Sequence, residues 1–386
     1  MRYLELVATV DPRAGGVVAG LTALARERTA HGDQTMVASL DAPGAFRAED
    51  LPFGWIGLGP GRGKFAYAPD YTPWLRAHAR EFDIVIINGL WQYHSFGAWR
   101  ALRPLGIPYL VFPHGMLDPW FNREYPLKQI KKMLYWWWAE GRVLRDAAAV
   151  CFTCDQERML ARQSFAPYRA SEAVVGYGID DPPPAYPGQI AEFYNQVPAA
   201  AGSRVLLFLS RIHEKKGCDL LLHAFKTACA ADPHWHLVMA GPDPDGWQVR
   251  LQALARSLGI ADRVSWPGML SGAGKWGAFR SAEAFCLPSH QENFGIVVAE
   301  ALACGCPVLT SDQVNIWREV VDGGAGLAGA DTVDGITGLL RRWVGTGAQA
   351  ASSCRSNARP TFLRHFHIAA ASARIGSLAS QPGVPA

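Results

Sequence analysis

Hydrophobic positions along the chain fall into short, nearly unbroken runs that alternate with longer stretches of helical spacing. Residues 3–10 read as a strand, residues 11–16 (Asp-Pro-Arg-Ala-Gly-Gly) as a loop, and residues 17–29 as a helix that His31-Gly32-Asp33 ends. Residues 35–40 form the next strand. Residues 83–88 and 108–112 are apolar runs bounded by turn residues, the pattern of parallel strands buried on both faces. Residues 147–152 and 173–175 continue the series, so the first half reads as a doubly wound α/β domain.

Three consecutive prolines, 182–184, and the small residues 198–202 mark the stretch 181–202 as an interdomain linker. The alternation then repeats. Strands are expected at residues 204–210, 236–240, 264–266, 284–287 and 307–310, with helices at 218–229 and 247–258. A weaker helical stretch, 361–378, precedes a Pro/Gly tail. The predicted fold class is α/β, two Rossmann-like domains facing across a cleft. Residues 1–180 would form the first domain and residues 203–360 the second, with 361–386 a further helix and tail.

Composition narrows the function classes. Of 386 residues, 49% are hydrophobic and 18% charged, enough apolar material for two packed cores and too much for disorder. Thirty-seven basic against 34 acidic residues give a net charge of +3, so no nucleic-acid partner is expected. The first eight residues do not read as a secretory leader, because Glu5 interrupts the apolar run. No stretch approaches the ~18 apolar residues that span a bilayer. The eight cysteines lack a four-ligand zinc spacing and read as reduced thiols. A cytoplasmic protein is expected.

The densest candidate chemistry is the segment from Ser289 to Ala303. It follows a predicted strand and opens a helix, so the amides of Asn293, Phe294, Gly295 and Ile296 would face outward at a helix N-terminus, ready for phosphate or sugar oxygens. Glu292 and Glu300, eight residues apart, would be about 12 Å apart along a helix, beyond the ~5–9.5 Å of a glycosidase carboxylate pair. They would then touch different parts of one long ligand. The plain alternative is two solvated glutamates. A second strand-to-helix loop carries Arg211 and Lys216, a fork and a point charge suited to a diphosphate. The Gly15-Gly16 loop fits neither Gly-x-Gly-x-x-Gly nor a P-loop.

These residues carry a resemblance. Arg-x4-Lys-Gly, followed some 75 residues later by Glu-x7-Glu within Pro-Ser-x-x-Glu-x-Phe-Gly-x-x-x-x-Glu-Ala, resembles retaining glycosyltransferase family 4, also called group 1, with the GT-B fold. Gly15-Gly16, Gly241-Pro242-Asp243, the segment from Arg263 to Gly268 and the run Pro113-His114-Gly115 resemble further family segments. The resemblance implies that Arg211 and Lys216 hold the donor diphosphate while Gly16 lets the first helix approach it. Glu292 and the amides of Asn293, Phe294 and Gly295 would bind the transferred sugar, and Glu300 the ribose. Met269 would flank the base, and His114 would lie against the donor sugar. No cofactor and no metal are implied. Asn293 stands where the family often has glycine, and could reach a sugar hydroxyl; Ser210 likewise replaces a frequent glycine.

Other features need weighing. Asp243-Pro244-Asp245 spells a metal motif of another glycosyltransferase fold, but reads better as a turn. His31, His234 and His236 read as structural, His213 as a phosphate neighbour or a loop residue, and His365 and His367 as packing residues. The segment 125–145 sets Lys128, Lys131, Lys132, Arg142 and Arg145 around Trp136, Trp137 and Trp138. It is either an interfacial helix on an anionic membrane or a core helix with a cationic outer face.

The expected activity is retaining transfer of a hexose from a UDP- or GDP-sugar to a hydroxyl of a lipid-linked glycan, in exopolysaccharide, O-antigen or capsule assembly. Such an enzyme would be cytoplasmic or peripheral on the inner face of the plasma membrane. The alternatives are a sugar-nucleotide epimerase or phosphorylase on the same fold, a non-catalytic nucleotide-sugar-binding protein, and a nicotinamide-dependent oxidoreductase.

Overall fold

The computed structural model describes residues 1–120 and 126–379; Tyr125, the side chain of Lys128 and the tail 380–386 lie outside the described residues. The chain divides into two units, Met1–Gly178 with Ile368–Ala386, and Ile179–His367.

The first unit holds seven strands: β1 (Arg2–Val7), β2 (Gln34–Ser39), β3 (Gly54–Gly57), β4 (Ile84–Asn88), β5 (Leu110–Phe112), β6 (Ala149–Phe152) and β7 (Glu172–Val174), in the spatial order β3-β2-β1-β4-β5-β6-β7. Neighbours pair in parallel, with Leu4 opposite Met36 on one side and Val85 on the other. Alternate side chains feed two cores. Leu4, Leu6, Val85, Ile87, Val111 and Val150 enter one, while Tyr3, Ile84, Ile86, Leu110, Phe112 and Cys151 enter the other. Both faces being covered explains why these strands read as continuous apolar runs. The helix Ile368–Ala379 adds Ile375 to the second core, so the C-terminal segment completes the N-terminal unit.

The second unit repeats the plan with β8 (Arg204–Leu209), β9 (Trp235–Ala240), β10 (Val264–Gly268), β11 (Ala284–Leu287), β12 (Val308–Ser311) and β13 (Gly326–Gly329), in the order β10-β9-β8-β11-β12-β13. In both sheets the order reverses beside the first strand, between β1 and β4 and between β8 and β11. Ligands bind beyond the strand C-termini at such switch points.

Two expectations change. The stretch 181–202 is not a free linker: it carries the helix Pro187–Gln196, with Pro187 at its first turn, packed against the helix Gly272–Ser281 of the same unit. Proline suits that position, since its missing N–H would be unpaired there anyway. The contact is close because Gly277 has no side chain; a Cβ there would lie 1.9 Å from the Gln189 carbonyl oxygen. The second change concerns the C-terminal helix expected over 361–378. The helix Ala348–His365 ends at Phe366, and a separate helix begins at Ile368. Phe366 stacks edge-on against Phe294, and His367 against Phe362, so the histidines of this turn are packing residues.

The tryptophan triplet divides its labour. Trp136 is buried in the first core, stacked on Phe165, whereas Trp137 and Trp138 are 59% and 58% exposed. Ile130 and Leu134 are exposed as well, and at positions i, i+4, i+7 and i+8 the four line one side of the helical stretch.

Two substitutions test the helix contact. G277A is expected to destabilise the chain by at least about 2 kcal/mol, the cost of overpacking against backbone. G338A, in a helix where an added Cβ meets nothing within 4 Å, is expected to stabilise it by about 0.5–1 kcal/mol. Denaturant midpoints read both.

A third test uses pH. His94 donates from Nε2 to the carbonyls of Asn88 and Gly89, and burial pushes its pKa down to about 4. Stability present above its ordinary value near 6.5 is therefore lost as pH falls toward 4. Buried Glu140, which accepts from Ser95 Oγ and the Trp91 amide, is pushed up to about 7 and works in the opposite sense, losing stability as pH rises from 4.5 to 7. The difference between H94Q and wild type isolates the histidine. It is expected to shift by about 3 kcal/mol in favour of H94Q between pH 7 and pH 4; a pH-independent difference would show that His94 titrates as an ordinary imidazole.

Candidate active site

In the second unit, β8 runs out at Ser210 and Arg211, and Ile212 continues by donating its amide to the Pro242 carbonyl (2.8 Å). A turn of 3₁₀ helix, Glu214–Lys216, is capped by His213, whose Nδ1 accepts from the Lys215 amide (3.0 Å). His213 is thus a capping residue. The turn carries Lys216 inward until its ammonium meets the Glu292 carboxylate. Two glycines permit this approach. Gly217 has φ +64° and a Cβ there would lie 2.1 Å from the Pro288 carbonyl oxygen; at Gly241 it would lie 1.7 Å from that of Ser210. Arg211 is exposed.

Beyond β11, Glu292 is fixed through its backbone. Its amide donates to Gln313 O (3.1 Å) and its carbonyl accepts from Asn315 N (3.0 Å), a one-residue parallel bridge. Asn315 Nδ2 also donates to Asn293 Oδ1 (3.2 Å), so that oxygen is engaged within the protein. Phe294 is buried against Phe366, so what it can offer a ligand is its backbone. Gly295, at φ +71°, caps the helix Ile296–Ala303 and starts it at Ile296, four residues after Glu292. The preceding loop delivers the Glu292 carboxylate to the mouth of that helix, where the amide ends favour negative charge.

Glu300 lies on the same helix, buried. Its Oε1 accepts from Lys275 Nζ (2.6 Å), and its Oε2 has no partner among the described residues. Burial raises its pKa against the opposing pull of Lys275. Neither glutamate is the freely solvated residue of the plain alternative: each is paired with a lysine. Lys275 had no signal in the sequence, because it is 25 residues from Glu300 on a different helix. Nor did the pairing of His290 with Asp331 (2.7 Å), which raises the His290 pKa. Met269, after β10, is 68% exposed. Asp243 accepts from the amides of Trp247 and Gln248, a helix-capping turn as its composition indicates. His236 is held by Ser265 (2.8 Å). Among the described residues no three His, Cys, Asp or Glu side chains converge as a metal set.

In the first unit, Gly15 (φ +89°) caps the helix Gly16–Ala30, and the Gly16 carbonyl accepts from Tyr177 Oη (2.5 Å). His114 follows β5 in a left-handed conformation, φ +50°, rare for a residue with a side chain. Its ring stacks on Phe112 and meets the edge of Tyr177. The turn is held from beneath by Glu157, which accepts from the Gly115 amide (2.6 Å) and from the amide and the hydroxyl of Thr153 (2.7 Å each). Burial lowers the His114 pKa to about 4, so the ring is neutral at pH 7.

The family described as glycosyl transferases group 1 matches residues 189–360, and a glycosyl transferase 4-like domain matches residues 15–178. A D-inositol 3-phosphate glycosyltransferase of Actinosynnema mirum is 33% identical over 294 residues, covering 72% of this chain and 69% of its own. A second such protein, from Frankia alni, is 35% identical over 170 residues, or 41% of its length. Among solved structures, HepE of Anabaena, determined with UDP and glucose, superposes with a TM-score of 0.76 at 19% identity, covering 98% of this chain and 99% of its own. That likeness shows the fold: an α/β GT-B architecture of two parallel-sheet units. With the same fold, matches to both halves and a relative this similar along most of its length, the chain belongs to the glycosyl transferases group 1 family and is a glycosyltransferase.

Proposed function

We propose that the enzyme is a retaining hexosyltransferase that moves a hexose from a UDP- or GDP-sugar to a hydroxyl of a lipid-linked glycan, in exopolysaccharide, O-antigen or capsule assembly. The Lys216–Glu292 pair at the mouth of the Gly295-capped helix is the observation that carries this reading. A diphosphate entering there meets a lysine, the exposed Arg211 and the helix amides, while Glu292 is beside them to accept hydroxyls of the attached sugar. The bond from the anomeric carbon to the phosphate oxygen breaks with its electron pair going to the diphosphate. The acceptor oxygen bonds the same carbon from the same face, and its proton passes to the departing phosphate. Arg211, Lys216 and the amides offset the developing charge, so the reading invokes no metal. Glu300 Oε2, buried at the same helix, would accept a ribose hydroxyl.

The lipid-linked acceptor rests on the exposed stripe of Ile130, Leu134, Trp137 and Trp138, with the exposed Lys131, Arg142 and Arg145 beside it. An apolar stripe with basic neighbours suits an anionic membrane surface. Among the described residues no helix is long and apolar enough to cross a membrane. A second reading, a small phosphorylated polyol as acceptor, is favoured by the 33%-identical inositol-phosphate relative.

UDP or GDP at about 100 times its dissociation constant is expected to add about 2.7 kcal/mol of stability. Stabilisation by NAD alone would overturn the proposal. K216A and E292A are each expected to cut hexosyl transfer at least about a hundredfold; near-wild-type rates in either would remove that residue from the site. Replacing Trp137 and Trp138 with serine is expected to abolish flotation with vesicles containing phosphatidylglycerol while leaving donor hydrolysis unchanged. Unchanged flotation, with transfer to inositol phosphate, would favour the second reading.

A further inference from the structure

Beneath His114 lies a chain of buried polar groups that the proposed chemistry does not use. Arg28 Nη1 meets Glu5 Oε1 at 2.6 Å, with side chains 0% and 1% exposed. Glu5 Oε2 accepts from Asn88 Nδ2 at 2.6 Å, and Asn88 Oδ1 lies 2.9 Å from His114 Nε2. Arg28 also stacks on Tyr3, 3.8 Å from the ring centroid, and its Nε and Nη2 have no hydrogen-bond partner among the described residues. An ion pair this deep costs stability relative to an apolar pair of the same volume, so packing does not account for it.

Its geometry controls a proton. An ionised carboxylate can only accept, so Glu5 turns the Asn88 amide with its NH₂ inward and its carbonyl toward His114. A carbonyl can likewise only accept, so the His114 proton must sit on Nε2. The ring's other nitrogen, Nδ1, is then a bare acceptor. Arg28 pairs with the other Glu5 oxygen, and the clamp of Glu157 on the Gly115 amide holds the turn that carries the ring.

We infer that Arg28, Glu5 and Asn88 are positioning residues that lock His114 in its Nε2–H tautomer, so that Nδ1 accepts a hydrogen bond from a ligand hydroxyl. A neutral acceptor selects a hydroxyl and disfavours a phosphate, which would need a donor. Under the proposed function that hydroxyl belongs to a sugar substrate, and this clause alone rests on that reading.

The test compares wild type with the double substitution E5L/R28M, which replaces the buried pair with apolar side chains and is expected to keep the fold. With histidine labelled in its ring, NMR is expected to show the Nε2–H form alone at His114 in wild type between pH 6 and 9. In E5L/R28M the Asn88 amide can rotate, and a measurable Nδ1–H population should appear. If transfer is measured, its kcat/KM should fall about tenfold, the loss of one hydrogen bond, with UDP affinity unchanged. A wild-type ring protonated on Nδ1, or an unaltered tautomer in E5L/R28M, would overturn the inference. Absence of transfer by wild type from any nucleotide sugar would sink the proposed function instead, and the NMR result would still decide the tautomer.

Discussion

A parallel sheet covered on both faces has little place for polar chemistry except at the ends of its strands. Along β1, β4, β5 and β8 the alternating side chains are spent on core packing, and the polar groups needed for a ligand are pushed into the loops that follow. Gly15 and Gly16 follow β1, Asn88 ends β4, His114 follows β5, Arg211 and Lys216 follow β8, and Glu292 follows β11. Within the second unit the close approach of the loops after β8, β9 and β11 is made by missing side chains, since any Cβ at Gly217 or Gly241 would strike a neighbouring carbonyl. Glu5 is the exception, a carboxylate in the middle of a central strand, and the polar chain it starts leads directly to His114.

Charge pairing organises the second unit. Lys216 and Lys275 approach from different elements, each meeting a glutamate of the same strand–loop–helix segment. A buried ammonium needs such a partner, and a buried carboxylate without one is driven toward its protonated form. The two pairs differ: under the proposed function Glu292 shares its lysine with the place a diphosphate would enter, whereas Glu300 Oε2 is enclosed with no partner among the described residues. Under the proposed function, a diphosphate at the first pair would exchange one anion for another at Lys216 instead of adding charge to an empty pocket.

The tryptophan segment shows how one helix serves core and surface together. Trp136 lies among Phe165, Tyr168 and Trp91, whereas Trp138 rests on Phe96 and Trp137 donates to the Ala166 carbonyl (2.8 Å) with more than half of each exposed. The three tryptophans sit in a π-helical turn, Trp136–Glu140, and successive side chains on a helix point in different directions, so three neighbours cannot all face one core.

Periodicity in the sequence determined the alternating strands and helices, the two-unit division and the motif segments, because apolar runs and turn residues act locally. Strand β3, short and glycine-bounded, carried too weak a local signal, and the prolines of 181–202 hid a helix that packing against Gly277 sustains. The residues Arg211, Lys216, Glu292 and Glu300 were legible as a spaced motif. Their partners were not. Lys275, Asp331, Asn315 and the chain from Arg28 through Glu5 and Asn88 to His114 join residues 22 to 83 positions apart, with nothing periodic between them. Only strand order decides which loops meet, and with it which carboxylate holds a lysine and which imidazole nitrogen carries the proton.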